Sequence, residues 1–131
     1  EELAHFNLLL DLLGKRGVPF GPSHASPWIG GLMRNIPKGR REPGIDHLIA
    51  ASLIEGRSCE KFQLLGEALR ETEPEIAQLY ASLVESEGNH YAGFWLMACD
   101  IDNEEAHERL DVFLDLDAEL IQKSHKLPLL H

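Results

Sequence analysis

Residues 76–97 read Ile-Ala-Gln-Leu-Tyr-Ala-Ser-Leu-Val-Glu-Ser-Glu-Gly-Asn-His-Tyr-Ala-Gly-Phe-Trp-Leu-Met. Ile76, Leu79, Leu83, Phe94 and Met97 recur at steps of three and four, the spacing that lines up side chains on one face of an α-helix. Glu87 and His90 fall on that same stripe. A buried, unpaired carboxylate is expensive, so Glu87 must be paired, protonated or bound to a cation. The spacing predicts a helix that opens at Thr72 and runs to about Cys99. Thr72 and Glu75 form a capping box there, with Pro74 in the first turn.

Working outward, the preceding segment from about Ile45 to Leu69 carries the stripe Ile45, Leu48, Ser52, Glu55, Cys59, Phe62, Gly66, Leu69. Glu55 interrupts it as Glu87 interrupts the next. A first helix is predicted from about Glu1 to Leu13, stopping at Gly14–Gly17, with Glu2 and His5 in register with Leu9 and Leu12. A last helix follows Asp102 or Asn103 as N-cap and runs to about Ser124, with Leu110, Phe113, Leu114, Leu120 and Ile121 as its apolar set. Between the first two helices lies a stretch from Gly17 to Gly44 containing Pro19, Pro22, Pro27, Pro37 and Pro43. Ser26-Pro27-Trp28 is placed to start one short helix within it. Such a connection is far longer than the usual link of about 2–8 residues between bundle helices. It suits a bundle whose helices are joined by a crossover. The chain therefore reads as all-α, a ferritin-like four-helix bundle forming a single domain over residues 1–131. Residue 1 already lies in a helical pattern, without an initiator Met or an N-cap, so the expectation is a fragment that lacks the first helix of the bundle.

In Glu-x-x-His the two side chains lie one turn apart on one helix face and can reach the same metal pair. With fifteen Glu and seven His, chance supplies roughly one such motif. The chain has three: Glu2–His5, Glu87–His90 and Glu104–His107. The third lies in a polar helix start, where glutamates complement the helix dipole, and reads as a solvated first turn. The other two lie on core stripes. Glu55 lies about 16 residues before the turn at Thr72 and Glu87 about 15 after it, so at about 1.5 Å per residue both sit about 24 Å from the turn. An antiparallel hairpin thus sets Glu55 opposite Glu87 and His90. Oxygen and nitrogen donors of this kind favour two iron ions, with manganese possible, over thiolate-bound zinc.

Composition bounds the rest. A net charge of −10 argues against a broad nucleic-acid surface and suits carboxylates gathered around a cation. No apolar run approaches the roughly 20 residues of a membrane span, and no signal peptide is evident. Cys59 and Cys99 show neither a disulfide framework nor a zinc spacing, which fits buried free thiols in a reducing cytoplasm. Lys38, Arg40 and Arg41, with Arg34 and Trp28 nearby, form the basic cluster, and Lys15 and Arg16 precede the same crossover. One reading is a phosphate-contacting patch beside an aromatic that stacks on a base. The other is a solvated loop with Trp28 and Leu32 covering the bundle. Arg57 is placed either to contact a phosphate or to pair with an acid near the site. Tyr91 reads as a structural aromatic, and His24, His47, His125 and His131 as surface residues.

The stretches Ile-Glu-Gly-Arg-Ser-Cys-Glu-Lys-Phe (54–62) and Tyr-Ala-Ser-Leu-Val-Glu-Ser-Glu-Gly-Asn-His-Tyr (80–91) resemble the tRNA-(2-methylthio-N6-isopentenyladenosine) hydroxylase family, often called MiaE. The opening Glu-Glu-Leu-Ala-His-Phe and the later Lys-Arg-Gly-Val-Pro-Phe resemble its second core helix and the start of its crossover. The resemblance implies a non-haem di-iron monooxygenase that hydroxylates the isopentenyl side chain of a modified adenosine in tRNA. It also implies O2 and an electron-donating reductase or ferredoxin as partners. By position it makes Glu2 and Glu87 bridging carboxylates, His5 and His90 terminal nitrogen ligands, and Glu55 a terminal carboxylate. A sixth ligand, a Glu on a helix before residue 1, is implied by the family and absent here. Two other readings compete. One is another ferritin-like activity, such as iron oxidation or peroxide reduction. The other is a non-enzymatic helical module whose buried acids pair with residues such as Arg57 or Lys61.

Overall fold

The computed structural model describes residues 1–22, 26–38 and 44–123. They form five helices: α1 (Glu2–Lys15), α2 (Pro27–Arg34), α3 (Ile45–Ala68), α4 (Pro74–Ile101) and α5 (Asn103–Gln122). No strand occurs among the described residues. Ser26 caps α2, its Oγ accepting from the Ile29 N–H at 3.2 Å, with Pro27 at the first helical position. Asp102 serves two helices, ending α4 and capping α5 through the Glu105 N–H at 2.9 Å. The predicted capping box at Thr72 does not form. Glu73 occupies the N-cap of α4 without a side-chain cap bond. Its carboxylate instead takes the Arg16 guanidinium at 2.8 Å, and Glu75 sits near Lys15 and Arg16.

Side-chain contacts set the directions of the helices. Ser52 Oγ donates to the Tyr91 carbonyl, Cys59 Sγ to the Val84 carbonyl, and Phe62 stacks on Tyr80. The α4 number falls as the α3 number rises, so α3 and α4 form an antiparallel hairpin. Gly66 makes it close-packed at its far end, since a Cβ there would lie 3.4 Å from the Ala77 carbonyl. His5 lies beside Glu87 and Lys15 beside Glu75, so α1 is also antiparallel to α4. It follows that α1 and α3 run the same way. The chain must therefore travel back the length of a helix between them, which is the work of the long crossover. Gly17, at φ 67°, turns it out of α1, with Gly17 N–H bonded to the Gly14 carbonyl and Val18 N–H to the Leu13 carbonyl.

The core sits where α2, the start of α3, the end of α4 and α5 meet. Trp28, Leu32, Ile45, Ile49, Ala98, Ala106 and Phe113 are buried there. Gly31 allows α2 to press onto α5, since a Cβ at that position would lie 2.5 Å from Leu120 Cδ2. Two buried acids lock the same layer. Asp46 accepts from Arg109 Nε at 2.6 Å, and Asp117 accepts from Trp28 Nε1 at 2.8 Å and from the Arg57 guanidinium. Four expected core residues face water instead: Leu9, Met97, Leu114 and Ile121 are exposed. Asp117 holds the inward position between Phe113 and Leu120 and is 4% exposed.

Candidate metal centre

Below the apolar layer, α1, α3 and α4 bring acids and imidazoles together. Glu87 is 4% exposed. His5 Nδ1 lies 3.5 Å from Glu2 Oε1 and 3.6 Å from Glu87 Oε1, and it is buried with no hydrogen-bond partner. His90 Nδ1 lies 3.4 Å from Glu2 Oε1, while its Nε2 meets Glu1 Oε2 at 3.0 Å. Donor atoms of Glu2, Glu87 and His90 all fall within 4.8 Å of one another. Glu55 completes the group from α3, hydrogen-bonded to Glu87.

The electrostatics show a site short of positive charge. Burial, then the hydrogen bond to Glu87 and the charges of Glu87 and Glu2, push the Glu55 carboxyl up from 4.5 to about 8, against a smaller opposing pull from His90. The hydrogen bond to Glu1 raises the His90 pKa and lowers that of Glu1, with the charges of Glu55 and Glu2 adding to the rise. Among the described residues, no Lys or Arg forms an ion pair with Glu55 or Glu87. Arg57, two residues from Glu55, is committed to Asp117 and Glu60. Lys61 stands 5.8 Å over the Trp28 ring.

Three carboxylates and two imidazoles therefore converge without a Lys or Arg among the described residues paired to Glu55 or Glu87. One carboxyl keeps its proton far above its ordinary range, and one buried imidazole nitrogen has no partner. A divalent cation would answer both conditions, so the residues present fit a metal cofactor. The mixed oxygen and nitrogen donors match iron or manganese. Glu104 and His107, the third Glu-x-x-His pair, are exposed, and His107 Nδ1 bonds the Asn103 carbonyl at 2.7 Å.

The substrate residues expected from sequence fare differently. Trp28 is 2% exposed and hydrogen-bonded to Asp117, so it is a core residue and not a platform for a base. Of the two readings for Arg57 the structure shows the second: its guanidinium pairs with the acids Asp117 and Glu60. Arg34 and Lys38 are exposed near the end of α2. Arg40 and Arg41 lie outside the described residues, as do His24, His125 and His131. Sequence reasoning missed Glu1, Asp46 and Asp117. Asp117 was detectable, since Leu110, Phe113, Asp117 and Leu120 keep the three-and-four step. Glu1 stands directly before Glu2-x-x-His5, and only the antiparallel register brings it to the other motif.

Over residues 1–131 the chain matches the family model described as MiaE, tRNA-(MS[2]IO[6]A)-hydroxylase. The chain belongs to the MiaE family. Two MiaE-type relatives carry the name tRNA 2-(methylsulfanyl)-N(6)-isopentenyladenosine(37) hydroxylase. The one from Pseudomonas putida is 34% identical over 123 residues, covering 93% of this chain and 58% of the relative. The one from Salmonella typhimurium is 32% identical over 121 residues, covering 92% and 44%. The chain thus spans about half the length of the curated relatives it matches. Among solved structures it is similar to "Protein 43 with aldehyde deformylating oxygenase activity from Synechococcus", with a TM-score of 0.85 and 30% identity over 96% of this chain and 62% of that one. The fold is therefore all-α and ferritin-like. No helix among the described residues is long and apolar enough to cross a membrane.

Proposed function

We propose that this MiaE-family chain carries the metal centre of an O2-dependent hydroxylase acting on the isopentenyl side chain of a modified adenosine in tRNA. The observation that supports it is the convergence of Glu2, His5, Glu55, Glu87 and His90 with no compensating Lys or Arg. These five residues would hold two iron ions, with manganese the alternative. When bound, the iron pair supplies the activation of O2 for attack on an unactivated C–H bond.

The chain's own residues prepare that site. Glu1 meets His90 Nε2 at 3.0 Å and Glu2 lies 3.4 Å from Nδ1, so a metal ion taken by Nδ1 would leave the Nε2 hydrogen held by Glu1. Glu55, whose carboxyl burial and Glu87 push up to about 8, would hold a proton beside Glu87 in the metal-free chain and would offer a carboxylate oxygen to a bound cation. Electrons come from a reductase or ferredoxin, and a tRNA substrate places the activity in the cytoplasm.

The relatives' names support tRNA as the substrate, while the Synechococcus protein supports a second reading, an oxygenase of the same fold with another substrate. The two are separated by incubating the reduced, iron-loaded protein with O2 and tRNA bearing the isopentenyl modification, then digesting to nucleosides. Gain of one oxygen on the modified adenosine, lost in Glu87→Ala, supports the hydroxylase. An unaltered nucleoside with iron bound and O2 consumed would move the assignment to the second reading.

A further inference from the structure

α5 lies along the α3–α4 hairpin. Arg109 bonds Asp46 and Arg57 bonds Asp117, so α5 runs parallel to α3, and His107 meets Trp95 of α4 with ring centres 5.1 Å apart. Toward the turn of the hairpin, two adjoining cavities follow. One, of about 490 Å³, is lined by Leu114 and Asp117 of α5 together with Gly56 and Tyr91. The next, of about 510 Å³, lies wholly between α3 and α4, over Phe62, Gly66, Ala77, Ala81 and Val84. Gln63 lines both, so they form one groove. Gly66 lets the helices meet at its floor, a Cβ there lying 3.4 Å from the Ala77 carbonyl, and Ala81 is exposed.

Asp117 of α5 is level with Arg57 of α3. Six further residues at about 1.5 Å each bring Lys123 level with Gln63, where the two cavities join. The sequence continues as Ser-His-Lys-Leu-Pro-Leu-Leu-His (124–131). Eight residues in extended form reach about 26 Å, while the groove from Gln63 to Arg70 needs only about 10 Å. Three of the eight are leucines, and an apolar groove is where their burial is most favourable. The acids lining the groove, Glu60, Glu67 and Asp117, outnumber the bases, Arg57 and Arg70, by one. The segment brings Lys126 to that excess.

We propose that this groove is the docking site of the chain's own residues 124–131, with Leu127, Leu129 and Leu130 set against Ala77, Ala81 and Val84. The proposal is independent of the metal reading. Docked there, the segment closes the apolar floor to water and braces the hairpin that carries Glu55, Glu87 and His90.

The test is methyl NMR on the metal-free full chain, wild type beside a variant that combines Leu127→Asp, Leu129→Asp and Leu130→Asp. The Ala77, Ala81 and Val84 methyl resonances are expected to move between the two proteins. Those of Ala98 and Ala106, buried in the apolar layer, stay in place and report that the fold is kept. Because the contact lies within one chain, the difference persists on dilution. Identical groove resonances in the two proteins would overturn the proposal. So would changes spread equally to Ala98 and Ala106. A difference that fades on dilution would overturn it as well, and would give the groove to the same segment of a second copy.

Discussion

Replacing Glu55 by Gln in the metal-free chain probes the charge conflict at the centre directly. The carboxyl titrates near 4.5 in the unfolded chain and at about 8 in the folded one, because burial and the neighbouring Glu87 disfavour its charged form. A raised carboxyl pKa contributes stability that is fully present below about pH 4.5 and is lost as pH rises through about 8. Taken whole, a displacement from 4.5 to about 8 corresponds to about 4.8 kcal/mol. Glu55 is only half-buried and water screens it, so about 1–2 kcal/mol is the share expected in practice. Gln keeps the shape, donates to Glu87 and cannot ionise. Urea unfolding with a chelator present, followed by far-UV circular dichroism at about pH 5 and about pH 8.5, measures both proteins. The wild type should lose about 1–2 kcal/mol more than Glu55→Gln between the two values. Equal losses in the two proteins would refute the reasoning, as would a variant destabilised by the same amount at both pH values.

Other perturbations follow from the packing and the charge pairs. Asp117→Ala removes the acceptor of the Trp28 and Arg57 hydrogen bonds and should cost about 2–4 kcal/mol in urea unfolding, with a shift in tryptophan emission. Gly31→Ala drives a methyl to within 2.5 Å of buried Leu120 and should cost about 1–3 kcal/mol, measured the same way. Gly30→Ala meets only the Arg34 guanidinium, at 3.1 Å, and should be neutral or slightly stabilising through helix propensity. Glu1→Gln should lower the pKa of His90, followed by NMR titration. The stability that protonated His90 draws from Glu1 is present below about pH 6.5 and fades as pH rises through the raised folded-state value, so the variant should lose it only on the acid side.

The helices and most of the centre were legible in sequence because both depend on periodicity. Glu55, Glu87 and His90 occupy positions where the stripe demands an apolar residue, and the equal distance of Glu55 and Glu87 from the turn placed them together. Long-range pairing was not legible. Thr72 and Glu75 satisfy the local capping pattern, yet Glu73 is the N-cap and its carboxylate meets Arg16, 57 residues away in sequence. Trp28 looked available for nucleic acid because nothing local consumes its indole N–H, and Arg57 because its local partner Glu60 takes only one side of the guanidinium. Asp117, 89 residues from Trp28 and 60 from Arg57, accepts from both. Glu1 takes on meaning only through the antiparallel register of α1 and α4, which sets it against His90.

The central claim is that these five side chains hold two metal ions, and metal content per chain tests it most directly. The protein is loaded anaerobically with ferrous iron, desalted, and measured by plasma mass spectrometry beside Glu87→Ala. Two irons per wild-type chain, lost in the variant, is the predicted result. A folded wild-type chain that retains no iron, or one whose iron is indifferent to Glu87→Ala, would contradict it.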